Sequence, residues 1–234
     1  MKEQYHKWYS PNLSKDMEML EFGHYGYPII IFPSTKGRYH EAKDFYLIDS
    51  VAHLIEEGKI KIYCPDSIDS WSWYNRAIHP ADRVRNHMWY DKMILEEVIG
   101  KIEDVNGPTK VAVGGCSFGG YHASNFGFRH PYKVSHLILM SAAFNIKSQL
   151  DGYYDENVYF NNPEDFVPNM NHQDLQNMKI VLGTCEHDIC KDANYNMSKI
   201  LHQKGVDHWL DDRPGASHDW VIWRKMFPDY VAMI

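Results

Sequence analysis

Cysteine is scarce: four residues in 234, at positions 64, 116, 185 and 190, with no dense or regular spacing. That excludes a disulfide-framed scaffold and points to reduced thiols in a cytoplasmic setting. No apolar run approaches the length of a membrane span. The first six residues, MKEQYH, lack the apolar stretch of a secretory signal. Basic residues are not in surplus. The net charge is −7, with both signs interspersed, which gives nucleic-acid phosphates no dedicated face. Repeats, low-complexity tracts and Gly/Ser linkers are also missing. What is present is an ordinary globular composition, 44% hydrophobic and 24% charged. The length suits one sizeable core and not clearly two. The expectation is a single domain over residues 1–234, without membrane or nucleic-acid partners. Homo-oligomerisation is left open.

Apolar patterning predicts eight strands. Residues 5–9 and 16–22 read as an antiparallel opening pair. Residues 28–32, 60–64, 110–113, 134–140 and 178–182 are short apolar runs of the kind buried on both faces. Residues 208–210 make a last short strand. Helices are expected over 41–57, 81–105, 121–130, 192–204 and 220–230, the last interrupted or ended near Pro228. Strands alternating with helices indicate an α/β fold: a mostly parallel sheet with helices on both faces. Ligands of such sheets sit beyond the carboxyl ends of the strands. The loops at 33–40, 65–80, 114–120, 141–177, 184–191 and 211–219 then surround one mouth. The long 141–177 segment is a natural lid or cap.

One motif gives that mouth a chemistry. Gly115-Cys116-Ser117-Phe118-Gly119 fits G-x-S-x-G between a buried strand and a helix. A strand turning sharply into a helix forces its central residue into an uncommon conformation, and small neighbours must make room. The serine hydroxyl is held out over the sheet as a nucleophile elbow. The following amide lies at a helix N-terminus, where developing negative charge is favoured. A Gly-rich turn with a capping serine is the plainer reading. A Cys116 nucleophile would put Phe118, not glycine, two residues on. A phosphate loop lacks its Lys-Ser/Thr ending.

Serine needs a base, and the base needs an orienting carboxylate. An elbow serine implies the chain order Ser, acid, His. His218, one of 14 histidines, lies between the last strand and the last helix and is the candidate base. Asp188 is the first choice of acid and Glu186 the second. A metal reading of Cys185, His187, Asp188 and Cys190 crowds its ligands more than the usual spaced pairs, so no metal is expected. The oxyanion hole would use the Phe118 amide and one from the loop after residue 32. Pro33 has no N–H, which favours Thr35, with Ser34 as alternate.

These segments resemble the α/β-hydrolases, and within them the esterase family that includes esterase D and the tributyrin and feruloyl esterases. The carriers are Gly115–Tyr121, Glu186-His187-Asp188 with Asn194, and Ser217-His218-Asp219-Trp220. The resemblance implies an eight-stranded sheet, carboxylic-ester hydrolysis without a cofactor, and a catalytic triad of Ser117, Asp188 and His218. One departure is the stretch Phe32-Pro33-Ser34-Thr35, where a His-Gly pair is common. Trp71, Trp73, Tyr74, Arg76, Tyr154 and Tyr159 are candidate contacts for a small ester of a polar alcohol or sugar, or else they pack the lid onto the domain. An acyltransferase on the same fold and a non-catalytic interaction protein are the rival readings.

Overall fold

The computed structural model describes residues 1–171 and 173–234. Its eight-stranded sheet has the order β1-β2-β4-β3-β5-β6-β7-β8. The strands are β1 (Glu3–Ser10), β2 (Lys15–Phe22), β3 (Tyr27–Phe32), β4 (Ile60–Pro65), β5 (Val111–Cys116), β6 (Val134–Met140), β7 (Lys179–His187) and β8 (Trp209–Ser217). β1 and β2 form an antiparallel hairpin joined antiparallel to β4, and the rest of the sheet is parallel. This is the α/β-hydrolase fold.

Alternate residues of the central strands enter two separate cores. Ile30, Phe32, Val113 and Leu139 pack on one face, and Ile29, Ile31, Ala112 and Met140 on the other. Burial on both sides explains why these strands read as continuous apolar runs. The first face is covered by α3 (Pro80–Met93), α4 (Ile99–Asn106), α5 (Phe118–Arg129) and α9 (Lys191–Gln203). The second is covered by α1 (Glu41–Asp44), α2 (Ala52–Glu56) and α10 (Trp220–Val231). Three short helices, α6 (Glu156–Tyr159), α7 (Pro163–Phe166) and α8 (Gln173–Gln176), lie within 141–177. That segment buries Phe144, Ile146, Leu150, Val158 and Phe166.

The structure departs from the sequence expectations in four places. The helix expected over 41–57 is broken. Tyr46 takes a left-handed φ of 59°, and Phe45 is exposed and stacked on Trp220 at 4.8 Å. A tertiary contact has overridden helical spacing there. The helix expected over 81–105 does run from Pro80 to Asn106, but with a π-helical turn at Ile94–Val98. α10 continues through Pro228. Finally, β7 and β8 extend well past residues 182 and 210. Their polar ends pair with each other at the edge of the sheet, where apolar patterning is weak and Pro214 is tolerated.

Candidate active site

Ser117 is the N-cap of α5, with φ 56° and ψ −119°. A non-glycine residue in that region carries strain on the order of 1–3 kcal/mol, and the surroundings fix it. Ser117 N–H donates to Met140 O at 2.9 Å, and Ser117 O accepts from Gly120 N–H at 3.0 Å and Ala143 N–H at 3.2 Å. The flanking glycines make the turn feasible. A β-carbon on Gly115 would collide with the backbone of Gly119. One on Gly119 would lie 2.7 Å from Pro33 O and closer still to Phe32 O. The start of α5 thus packs backbone-to-backbone on the end of β3. Cys116 is buried, and burial pushes its thiol pKa well above the usual value. It is a packed neighbour with no nucleophilic character.

Strand register brings the candidate acid and base together. His187 of β7 pairs with Ser217 of β8, so the next residue of each strand, Asp188 and His218, stand side by side. His218 Nδ1 and Asp188 Oδ1 are 2.7 Å apart. A carboxylate oxygen accepts, so Nδ1 carries the hydrogen, and in the neutral form of the ring Nε2 keeps the lone pair. Asp188 is held from several sides: Cys190 N–H donates to Oδ1 at 2.8 Å and Thr184 Oγ1–H to Oδ2 at 2.8 Å. Burial alone would raise its pKa. The donors, His218 foremost, outweigh burial and hold the carboxyl below its ordinary value. The His218 ring lies edge-on to Trp223 at 5.0 Å, and Trp223 Nε1 donates to the buried Ser141 Oγ at 2.9 Å. Among the described residues no hydrogen bond joins Ser117 Oγ to His218. Such contacts are often long before substrate binds.

Glu186 has no such contact with His218. It is exposed, and its Oε2 accepts from Gly215 N–H at 2.7 Å, linking the carboxyl-terminal ends of β7 and β8. Asn194 donates to Ala142 O and Cys190 O, fixing the start of α9 against the end of β6. The ligand atoms of Asp188, Cys190 and His218 lie within 4.8 Å of one another. Two of these groups already share a hydrogen bond, and burial pushes the Cys190 thiol up to about 12. The donor set suits an acid–base pair better than a metal centre, which would need the thiolate.

The loop after β3 is fixed through its backbone. Ser34 N–H and Oγ–H donate to Glu41 at 2.7 and 2.8 Å. Lys36 N–H donates to Asp69 Oδ2 at 2.8 Å, and Gly37 N–H to Ser34 O at 2.9 Å. Among the described residues, the amides of Thr35 and Phe118 have no acceptor. Ser34 N–H is therefore engaged, while Thr35 N–H is available. Glu41, Asp66 and Asp69, which organise this region, were not singled out in the sequence. Asp66 and Asp69 take the amides of Tyr39 and Lys36, 27 and 33 residues away, and no residue pattern encodes that.

The aromatic candidates separate in space. Tyr74 is half-buried, edge-on to Phe118 at 5.2 Å, with Lys36 Nζ 5.2 Å from its ring centre. Trp73 is fully buried against His87 and Tyr121, so it belongs to the core. Trp71 is exposed beneath Lys15 Nζ, 3.5 Å from the ring centre. Arg76 binds Asp151, Ser148 O and Gln149, pinning the 65–80 loop to the 141–177 segment. Tyr154 is exposed and donates to Asp165 at 2.8 Å. Tyr159 lines a cavity of about 420 Å³ with Met88, Phe128 and Arg129. That is the far end of α5, roughly 16 Å from Phe118 at 1.5 Å per residue, so Tyr159 does not face Ser117. A larger cavity of about 830 Å³ lies at the amino ends of β3 and β4, lined by Tyr25, Pro28, His53 and Ile60. It contains none of the candidate site residues. Among the described residues no helix is long and apolar enough to cross a membrane.

A family model described as "Uncharacterised protein family (UPF0227)" matches residues 77–218. The match spans Ser117, Asp188 and His218 and begins beyond the loop that carries Thr35. No curated protein matches this chain in sequence. Among solved structures, a ferulic acid esterase is similar with a TM-score of 0.78 at 17% identity, covering 98% of this chain and 96% of its own. An S-formylglutathione hydrolase from Staphylococcus aureus superimposes with a TM-score of 0.77 at 16% identity, over 99% and 98% of the two chains. One from Agrobacterium tumefaciens gives 0.74 at 11%, over 99% and 93%. At these identities the likeness establishes a shared fold.

Proposed function

The chain belongs to the uncharacterised protein family UPF0227, and we propose that it is a serine carboxylic-ester hydrolase working by two-step acyl transfer. One observation carries the reading. A serine strained into an elbow at a helix N-terminus shares the carboxyl edge of one sheet with a histidine held 2.7 Å from a buried aspartate. The similar folds of a ferulic acid esterase and S-formylglutathione hydrolases accord with it.

In the first step Ser117 Oγ bonds to the ester carbonyl carbon, and its proton passes to His218 Nε2. The carbonyl electron pair moves onto oxygen, where the Phe118 and Thr35 amides receive the charge. Asp188 holds the imidazole tautomer and stabilises the imidazolium without taking its proton. The tetrahedral species collapses, the C–O bond to the alcohol breaks, and the alcohol leaves with the proton from Nε2. Water then loses a proton to the same nitrogen as it attacks the acyl-enzyme. Collapse breaks the bond to Ser117 Oγ, which recovers the proton as the acid departs. These steps use only this chain's residues and water. The favoured substrate is a small acyl ester of a polar alcohol or sugar, with Tyr74 and Phe118 bordering the acyl group.

The test is hydrolysis of p-nitrophenyl esters of rising acyl length by wild type and Ser117→Ala. Turnover in wild type that falls by about 10⁴-fold or more in the variant is expected. A Ser117→Ala protein as active as wild type would sink the assignment.

A further inference from the structure

We infer that Asp69 is a positioning residue that sets the spacing of the two oxyanion donors, an inference that rests on the ester-hydrolase reading. Thr35 and Phe118 lie on separate elements, the loop after β3 and the start of α5. Two amides stabilise one oxyanion only when both converge on the same oxygen. Asp69 spans these two elements with its two oxygens. Oδ2 accepts the Lys36 amide, next to Thr35, at 2.8 Å. Oδ1 accepts from His122 Nε2, also at 2.8 Å. His122 stands one helical turn after Phe118, on the same side of α5.

The bridge is buried. The side chains of Asp69 and His122 are 0% and 1% exposed. The His122 ring lies edge-on to Phe118 at 5.1 Å and 6.0 Å from Phe32. Lys36 holds a left-handed φ of 55°, a conformation that persists in a non-glycine residue only where the surroundings impose it. The carboxylate bonded to its amide is such a restraint. On the other side of the junction Gly119 rests directly on the backbone of Phe32 and Pro33. Relative to α5 the loop is therefore located at two points, a backbone contact and a bridging carboxylate.

Folding alone gives little reason for this residue. A buried carboxylate costs stability unless it is well paired, and an apolar side chain of similar volume is often as good or better for the fold. The neighbouring Asp66 is neutralised by Arg38 at 2.8 Å. Asp69 has no arginine or lysine partner among the described residues and spends both oxygens on the junction.

The experiment compares Asp69→Ala, Asp69→Asn and His122→Phe with wild type. It reads kcat and KM on p-nitrophenyl acetate, the rate of covalent labelling by a fluorophosphonate, and Tm. Oxyanion contacts form in the transition state, so loss of spacing lowers kcat and the labelling rate with little change in KM. Asp69→Ala should lose roughly 30- to 100-fold in kcat, within the range for losing one oxyanion donor. Asp69→Asn keeps an oxygen for the Lys36 amide and can donate to a neutral His122, so it should recover to within about tenfold of wild type. His122→Phe keeps an aromatic ring but breaks one end of the bridge, and should lose about tenfold or more. A folded Asp69→Ala protein with wild-type kcat and labelling rate, changed only in Tm, would overturn the proposal. If Asp69→Ala does not fold, unchanged kcat in His122→Phe overturns it and a reduced kcat supports it. A wild type that neither hydrolyses nor labels refutes the ester-hydrolase reading, and this inference with it. An active wild type indifferent to these changes refutes the inference alone.

Discussion

The two sides of Ser117 are built in opposite ways. On the side of β7 and β8, side chains are displayed: Asp188 and His218 follow paired strand ends and meet through their side chains at 2.7 Å. On the side of β3, side chains serve to aim the backbone. Glu41 and Asp69 each engage an amide of the 34–37 loop, and Thr35 N–H is left without an acceptor. The acids of the two sides differ accordingly. Hydrogen bonds outweigh burial at Asp188 and lower its pKa. At Glu41 burial outweighs the two donors from Ser34, and at Asp66 it outweighs Arg38, so both are raised. An acid whose charge orients a base needs to stay ionised. An acid that only holds a loop can tolerate a higher pKa.

The contrast can be broken most severely at Asp188. Asp188→Asn should reverse the His218 tautomer and lower kcat by about 10⁴-fold, as in the serine-protease triad. Glu186→Gln should cost less than about tenfold, because a Gln oxygen still accepts from Gly215. Equal losses in the two variants would undo the assignment of the acid. On the opposite side, Thr35→Pro removes the amide hydrogen and should cost on the order of 10²–10³ in kcat. Thr35→Ala keeps the amide and should leave kcat near wild type. A large loss in Thr35→Ala would mean that the side chain, and not the backbone, is the active part.

The smallest effects sharpen the difference between the acids. The folded-state pKa of Glu41 is raised, so the stability it lends is present at low pH and lost as pH rises through the folded value. Asp188 has the opposite sign. Its folded pKa is lowered, so its stabilisation is present above the unfolded value and lost as pH falls through the folded one. Tm of Glu41→Gln relative to wild type should therefore improve from acid to neutral pH, and that of Asp188→Asn should worsen. Thermal melts across that range decide it, and parallel trends in the two variants would contradict the account.

This division also explains what could be read from the sequence. The turn at Ser117 and the pairing of Asp188 with His218 were legible because the residue types and their chain order are characteristic. The buried strands were legible from apolar runs, and β6 matches the expected residues 134–140. The ends of β7 and β8 were not, since an edge pairing of residues such as Asp211, Asp212 and Arg213 leaves no hydrophobic signal. Nor was the break at Tyr46, which depends on Phe45 meeting Trp220 from the far end of the chain. Asp69 reaches an amide 33 residues away and a histidine 53 residues away. Only the folded chain brings those three groups together. The aromatic loops show the same limit: Tyr74 and Trp73 are neighbours in sequence, yet one packs beside Phe118 and the other is core.

The central claim is that Ser117 is a nucleophile activated by its setting. The most direct measurement is the intact mass of wild type and Ser117→Ala after exposure to a fluorophosphonate, with the modified peptide mapped. The account predicts one phosphonyl adduct on wild type, located at Ser117, and none on the variant. An unmodified wild type, or an adduct that persists in Ser117→Ala, would contradict it.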